Sequence, residues 1–389
     1  MLRLNSASSD HLNMIRGLSA VAVLFDHMRG LFFEGLQSAV HPSLVAYLFF
    51  GATSFGHEAV IIFFVLSGFF VGRSVVKAAP QWSWRNYLIN RLVRLYLVLI
   101  PALVVTFAAD QISLRMPLGQ KYFFHPIPHF NNPVPMASAL SLFTAIANAC
   151  FLQTIVAPTF GSNTALWSLA NEFWYYLLFP LSMLAFLRKG PAARFSYAGT
   201  ALLAAVWLPK DITLYFLVWL TGVALNFMPE FRRGAIFRRA GRIASFVLFC
   251  GCLVLVKGEH IPAPWSDFGL TAAFAGWMYF LLVGSEATGQ PYGRLAGGLA
   301  ACSYSIYAVH MPLLMLFRTA VDAPLWAPSA FYISSGVAMA LAVALLGFIL
   351  AWGTEAHTDR VRQMVFNLKS TRQDRGTARS GSAGRAAVR

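Results

Sequence analysis

The sequence predicts an all-α protein: a polytopic bundle of about ten transmembrane helices with both termini in the cytoplasm. Of its 389 residues, 58% are hydrophobic and only 12% are charged. A soluble domain carries about 25% charged residues, so the charged fraction is roughly halved. The apolar residues also gather into segments of about 20 residues, the length that a helix needs to cross a bilayer.

About ten apolar segments are long enough to span a membrane. They cover approximately residues 13–34, 57–76, 88–109, 165–187, 193–209, 211–228, 243–257, 267–284, 296–319 and 330–353. An eleventh segment, 137–156, is shorter and contains Asn148, Gln153 and several serines and threonines. Whether this segment crosses the bilayer determines the direction of every later helix.

The basic connections indicate the orientation. With a cytoplasmic N-terminus and a non-crossing 137–156, both the Arg188-Lys189 pair and the basic run 231–242 lie in the cytoplasm. If 137–156 crosses, both lie outside. The positive-inside rule favours the first arrangement.

The predicted spans divide the chain into two parts. Residues 1–357 are predicted to form one transmembrane domain, in which 110–164 is an outer-face insertion with a non-spanning segment. A non-spanning segment is tolerated at membrane depth where protein or water covers it. Residues 358–389 are rich in Arg, Ser, Gly and Ala without apolar periodicity, and are predicted to be a basic, disordered cytoplasmic tail.

The charge and cysteine content argue against other classes. The chain has 30 Lys plus Arg against 15 Asp plus Glu, a net charge of +15. In a soluble protein this would suggest nucleic-acid binding. Here the basic residues lie mainly between apolar segments, so we predict membrane lipids as partners and no nucleic acid. The four cysteines lie in apolar segments without zinc-ligand spacing to histidine, and no metal is predicted.

Ionisable residues inside the predicted spans are functional candidates, because burying them in a bilayer costs about 2.5 kcal/mol or more each. Arg16 and His27 lie about three turns, or about 16 Å, apart on one face of the first helix. Arg16 is expected near the cytoplasmic end, where it has the simpler interpretation of a snorkelling side chain. His27, Glu172 and His310 are all expected in the outer half, and Asp26 adjoins His27.

A cationic cluster is predicted at the inner end of the third span. Arg91 and Arg94 share a helix face, and Arg85 lies about two turns away. Such a cluster is most often a positive-inside anchor. Its functional interpretation is a clamp for a polyphosphate, because the planar guanidinium fork matches phosphate oxygens.

Hydroxyl and aromatic side chains surround the embedded acid and base. Trp167 and Ser168 lie just before Glu172, and Tyr304 and Tyr307 precede His310 on one helix. Aromatic residues alone are typical of an interfacial belt. Beside an embedded carboxylate and imidazole, however, these four residues and Asp26 become candidates for substrate binding.

Five sequence blocks, in this order, carry a resemblance to a known family. They are RGLSAVAVLFDH (16–27), FFVLSGF (63–69), RLVR (91–94), WSLANEFWYY (167–176) and SYSIYAVH (303–310). The chain resembles the bacterial membrane-bound acyltransferase family 3, which includes O-acetyltransferases of polysaccharides and lipopolysaccharides. It departs from the family pattern at Asn13, where an Asp often precedes the first-helix Arg by three residues.

The resemblance implies a donor and an acceptor. The donor would be a cytoplasmic acyl-CoA, usually acetyl-CoA, and the acceptor a hydroxyl of a carbohydrate or glycolipid at the periplasmic face. The protein would lie in the bacterial inner membrane. Arg91 and Arg94, with Arg16 and Arg85, would bind the donor phosphates.

The resemblance also implies catalytic roles. His27 would act as a general base on the acceptor hydroxyl or transiently carry the acyl group. Glu172 or Asp26 would orient this imidazole, as a carboxylate does in a triad. Arg16 and His310 complete the set of catalytic candidates.

A second class of function also fits embedded histidine and glutamate. In a proton-coupled transporter or flippase of a lipid-linked sugar, these residues would form a proton relay. The chain lacks the visible internal repeat of many transporters, and its cations cluster at one mouth. We therefore predict an O-acyltransferase.

Overall fold

The computed structural model describes residues 4–36, 42–125, 135–230, 234–258, 261–284, 289–321 and 324–367. Within these residues the chain is helical, and two isolated bridges are the only β-structure. The α-helices are α1 (Ser6–Phe32), α2 (Leu44–Ala52), α3 (Gly56–Ala78), α4 (Trp84–Ser113), α5 (Gly119–Phe124), α6 (Leu142–Ala149), α7 (Trp167–Leu187), α8 (Pro191–Trp207), α9 (Lys210–Leu225), α10 (Ala235–Lys257), α11 (Trp265–Gly284), α12 (Gly293–Ala320) and α13 (Ala330–Gly353).

Each apolar segment that was predicted to span corresponds to one of the long helices, namely α1, α3, α4 and α7 to α13. The all-α prediction is thus confirmed. Among the described residues, six helical stretches are long and apolar enough to cross a membrane. They are Leu44–Gln81, Trp84–Ser113, Ala235–Lys257, Trp265–Val283, Gly293–Ala320 and Ala330–Asn367. The count of about ten spans and the cytoplasmic termini stay predictions.

The central helices of the bundle are α1, α3 and α12. Helix α1 packs against both α3 and α12, and α12 also packs against α4 and α13. Helix α8 has no buried residue and α10 has only Phe249, so both lie at the periphery. Several polar residues of these helices and their neighbours, among them Arg16 of α1, Glu172 of α7 and His310 of α12, face the interior of the bundle.

Glycines allow α3 and α9 to cross closely. A Cβ at Gly68 would lie 1.9 Å from the carbonyl oxygen of Trp219. A Cβ at Gly222 would lie 1.9 Å from the carbonyl oxygen of Val65. Neither contact leaves room for any side chain, so the crossing requires glycine on both helices.

The predicted insertion 110–164 is tied to the core by buried hydrogen bonds. Asp110 accepts from the backbone N–H of Ser162 at 2.8 Å and from its hydroxyl at 2.5 Å. The amide of Asn163 donates to the carbonyl oxygen of Ala308 in α12 at 2.8 Å. Helix α6 has 8 residues, about 12 Å, and is too short to cross a hydrocarbon core of about 30 Å.

Two predicted regions fall partly outside the described residues. Residues 126–134 of the insertion and residues 368–389 of the tail are not described. Residues 358–367, which were predicted to begin the disordered tail, form a helical segment that follows a short turn after α13.

Candidate active site

A cavity of about 260 Å³ lies among α1, α3, α4, α7 and α12. Its charged lining residues are Arg16, Arg91, Arg94 and Glu172. Hydroxyl groups come from Ser67, Ser168, Tyr176, Ser303, Tyr304 and Tyr307, and apolar side chains such as Val60, Phe63 and Leu169 complete the wall. The cavity thus combines three cations with a largely apolar surface.

Arg16 is held in place by α12. Its Nε–H donates to the hydroxyl of Ser303 at 3.0 Å, and its Nη2 donates to the carbonyl oxygen of Ala300. The next residue, Gly17, permits this approach, because a Cβ there would lie 2.5 Å from the Cβ of Leu299. Arg16 therefore faces the cavity and does not simply snorkel to headgroups.

The two arginines of the Arg-x-x-Arg element both reach the cavity. Arg94 is accessible within it and makes no hydrogen bond with any residue that the structure describes. Arg91 lies over the rings of Tyr87 and Tyr176, at 5.5 Å and 5.6 Å from their centroids. Arg85, in contrast, is exposed and absent from the cavity wall, so the structure does not place it with the other two.

Glu172 is the acceptor of three hydroxyl groups. Its carboxylate accepts from Ser67 at 2.8 Å, from Tyr304 at 3.1 Å and from Tyr176. The resemblance implied Glu172 or Asp26 as the carboxylate that orients His27. The Glu172 carboxylate instead makes its hydrogen bonds with these three hydroxyls and lines the cavity together with the arginines.

His27 and His310 form a pair at the far end of the site. Nδ1 of His27 lies 2.7 Å from Nε2 of His310, and the two rings stack with centroids 4.9 Å apart. His310 is fully buried, whereas His27 is partly accessible. His27 is therefore the more accessible member of the pair.

The hydrogen bonds define the tautomers of the neutral pair. Nδ1 of His310 lies 2.6 Å from the carbonyl oxygen of Tyr307. Because a carbonyl only accepts, that Nδ1 carries the hydrogen and Nε2 of His310 is an acceptor. Nδ1–H of His27 then donates to it, which leaves the lone pair of His27 on Nε2. The geometry thus presents a basic nitrogen on His27, with His310 oriented behind it.

Ser168 and Tyr307 connect the cavity with the histidine pair. Their hydroxyl oxygens lie 2.7 Å apart, and both side chains line the cavity. The ring of Tyr307 lies 5.6 Å from that of His310. Tyr307 thus lies in the cavity wall and beside His310.

Two other substrate-binding candidates lie elsewhere. Trp167 packs against Phe64 and Tyr215, with centroids 5.9 Å and 6.0 Å away, and is not part of the cavity wall. Asp26 accepts from Arg29 at 2.7 Å, so it is committed to an ion pair at the end of α1. The expectation that Asp26 orients His27 has no support in these contacts.

Three residues around the site were not among the candidates predicted from the sequence. Tyr176 lies one helical turn after Glu172, and this spacing could have identified it. Ser67, which also accepts from Trp219 Nε1 at 3.1 Å, lies within the block FFVLSGF but was not singled out as a site residue. Glu355 accepts from the backbone and hydroxyl of Ser305 at 2.7 Å and 2.5 Å, and no local pattern indicates this contact. Within the described residues, no group of three or more His, Cys, Asp or Glu could hold a metal ion.

Fold and site together define a multi-pass helical membrane protein with an internal cationic cavity and a buried imidazole pair. The chain belongs to acyltransferase family 3, whose acyltransferase-domain model matches residues 10–353. This confirms the family predicted from the five sequence blocks.

Two relatives are O-acetyltransferases by name. The peptidoglycan O-acetyltransferase OatA of Listeria monocytogenes serovar 1/2a is 27% identical over 323 residues, covering 73% of this chain and 49% of that protein. The O-acetyl transferase of Shigella phage Sf6 is 25% identical over 174 residues, covering 44% of this chain and 48% of that protein. The chain therefore spans about half the length of the curated relatives it matches. No solved structure matches it.

Proposed function

We propose that this protein is an integral membrane O-acyltransferase. It moves an acyl group, in the simplest case acetyl, from cytoplasmic acyl-CoA to a hydroxyl of a carbohydrate or glycolipid at the outer face. In this proposal the protein lies in the bacterial inner membrane. The observation that carries the proposal is one continuous arrangement: a cavity with three arginines whose far wall, Ser168 and Tyr307, adjoins the His27–His310 pair.

The cavity fits the donor in charge and polarity. Acyl-CoA joins a slender, mostly uncharged arm to several phosphates. Arg91 and Arg94 provide guanidinium groups for phosphate oxygens, and Arg16 is fixed beside them by Ser303. The apolar wall formed by residues such as Val60 and Phe63 suits the arm and the acyl group. Glu172 keeps the hydroxyls of Ser67, Tyr176 and Tyr304 turned towards itself.

The histidine pair supplies the base. Nε2 of His27 accepts the proton of the acceptor hydroxyl as its oxygen attacks the thioester carbonyl carbon. The carbon–sulfur bond then breaks, and the leaving CoA thiolate takes the proton from His27, which restores the neutral imidazole. His310 stabilises the imidazolium that forms, because its Nε2 accepts from Nδ1–H of His27. The same lone pair of His27 could carry the acyl group in a two-step transfer.

Radiolabelled acetyl-CoA tests the proposal directly. Purified protein in nanodiscs is expected to release labelled acetate slowly or to label an added glycan acceptor. His27→Ala should abolish this turnover, whereas His357→Ala serves as the matched control, because His357 is exposed on the turn after α13. Wild-type protein that neither binds nor turns over acetyl-CoA would refute the acyltransferase proposal and favour a transporter or flippase.

A further inference from the structure

A second cavity, of about 520 Å³, lies at the connection between α3 and α4, and the mechanism above does not use it. Its polar lining residues are Ser74, Lys77, Gln81, Ser83, Asn86, Tyr87, Asn90 and Arg91. No carboxylate belongs to its described wall. A concave surface with two cations, several amides and no acid suits an anionic ligand that also carries hydrogen-bonding groups.

Arg91 joins this cavity to the cavity of the candidate active site, because it lines both. Its guanidinium lies over Tyr87, which lines the second cavity, and over Tyr176, which lines the first. The hydroxyl of Tyr87 donates to the carbonyl oxygen of Tyr176 at 2.8 Å, which ties the two walls together. Arg91 therefore lies where the apolar-walled cavity of the candidate active site meets the second cavity, whose wall is richer in polar side chains.

The Nε–H of Arg91 is buried and has no hydrogen-bond partner in the described part of the chain. Buried donors are nearly always paired in native proteins, so an unpaired guanidinium nitrogen at a cavity junction calls for an explanation. A phosphate oxygen would pair it if the Arg91 side chain shifts to expose this nitrogen when the ligand binds.

We propose that the second cavity binds the 3′-phosphoadenosine end of the acyl-CoA donor. This inference rests on the proposed function. In a CoA thioester the pyrophosphate links the pantetheine arm to the nucleotide, just as Arg91 links the apolar-walled cavity to the polar one. Arg91 and Arg94 thus bind the two phosphates of the pyrophosphate, and the pantetheine arm extends from there towards Tyr307.

With the pyrophosphate bound at Arg91 and Arg94, the phosphate of CoA that still lacks a cation is the 3′-phosphate of the ribose. Lys77 is the other cation of the second cavity, and its exposed ammonium is free to meet a ligand. We assign it to the 3′-phosphate of the ribose, as a point charge. Gln81 and Asn86 have exposed amides that can donate to and accept from the base.

A third cavity, of about 330 Å³, is a less suitable place for the nucleotide. It shares Arg16 and Arg94 with the candidate active site, but its wall includes Glu355. A carboxylate there would repel phosphate. The third cavity also lacks the amides of the second one.

Truncated donors test separately how the nucleotide end and the pantetheine end of acetyl-CoA are bound. Binding of acetyl-CoA, acetyl-3′-dephospho-CoA and S-acetyl-4′-phosphopantetheine would be measured with wild-type protein in nanodiscs. Lys77→Gln should weaken acetyl-CoA binding about tenfold, the loss of one charge-assisted hydrogen bond. It should leave binding of the other two donors unchanged, because both lack the 3′-phosphate. Arg91→Ala should weaken binding of all three.

Lys189→Gln is the matched control, because Lys189 is an exposed basic residue at the end of α7 outside all three cavities. It should bind all donors like wild type. Equal weakening of all three donors by Lys77→Gln, or no weakening of any, would overturn the nucleotide assignment while leaving the proposed function intact. If wild-type protein binds none of the donors, the proposed function itself fails.

Discussion

His310→Ala tests whether His27 depends on a second imidazole for its orientation. In the native structure, Nε2 of His310 lies 2.7 Å from Nδ1 of His27, and the two rings are nearly parallel at 13°. The substitution removes both the acceptor and the stacked ring. His310→Gln provides the comparison, because its amide oxygen can still accept a hydrogen bond from Nδ1–H.

The size of the effect follows from the lost hydrogen bond. Leaving one buried donor unsatisfied costs about 1–3 kcal/mol, which corresponds to about 5-fold to 150-fold in the population of the oriented imidazole. We therefore expect His310→Ala to lower kcat about 10-fold to 100-fold and His310→Gln to lower it less. His27→Ala should cost about 10²-fold to 10⁴-fold, because it removes the base itself.

The assay is steady-state turnover of radiolabelled acetyl-CoA, with donor affinity measured separately. Donor binding should be close to wild type in His27→Ala and in His310→Ala, because neither substitution changes the cavity that contains the arginines. If His310→Ala is inactive while His27→Ala keeps ordinary turnover, the two roles are reversed and the assignment of His27 as the base is refuted. A wild-type kcat in both His27→Ala and His310→Ala would show that the histidine pair takes no part in catalysis.

Three further perturbations test other parts of the structure. Arg94→Ala should weaken acetyl-CoA binding about tenfold or more, and Arg94→Lys should restore it only in part. Arg85→Ala should bind acetyl-CoA normally. Equal affinity of all three variants in an equilibrium binding assay would exclude a phosphate clamp. Gly68→Ala should lower stability by about 1–3 kcal/mol in thermal denaturation, because its Cβ would meet the Trp219 carbonyl oxygen; Gly251→Ala, which has open space around its Cβ, is the control. Cysteine labelling should place residues 232–242 in the cytoplasm and 115–135 outside, and outside labelling of 232–242 would contradict the predicted orientation.

Local sequence was sufficient for the helices and for part of the site. Apolar length located each long helix, because a helix of about 20 residues is what a bilayer selects. Helical spacing placed Arg16 and His27 on one face of α1 and Arg91 with Arg94 on one face of α4. These relations need only the geometry of a single helix, and the structure retains them.

Relations between helices were harder to infer, and Glu172 illustrates this. Its depth in α7 suggested the outer half, near His27. Its partners are instead Ser67 on α3, Tyr304 on α12 and Tyr176 on its own helix. Arg85 likewise shares α4 with Arg91, yet its side chain is exposed.

The amino-acid sequence by itself determined the class of the protein, its helices and the residues that carry chemistry. Only the tertiary structure decided which of those residues meet: His27 with His310, Glu172 with the arginines, and Arg91 between two cavities. The physical reason lies in the solvent. In water, an apolar stripe shows which helix face is buried, whereas in a bilayer both the lipid-facing and the protein-facing sides are apolar. Hydrophobic periodicity then no longer identifies the packed face, and the pairing of helices depends on contacts far apart in sequence.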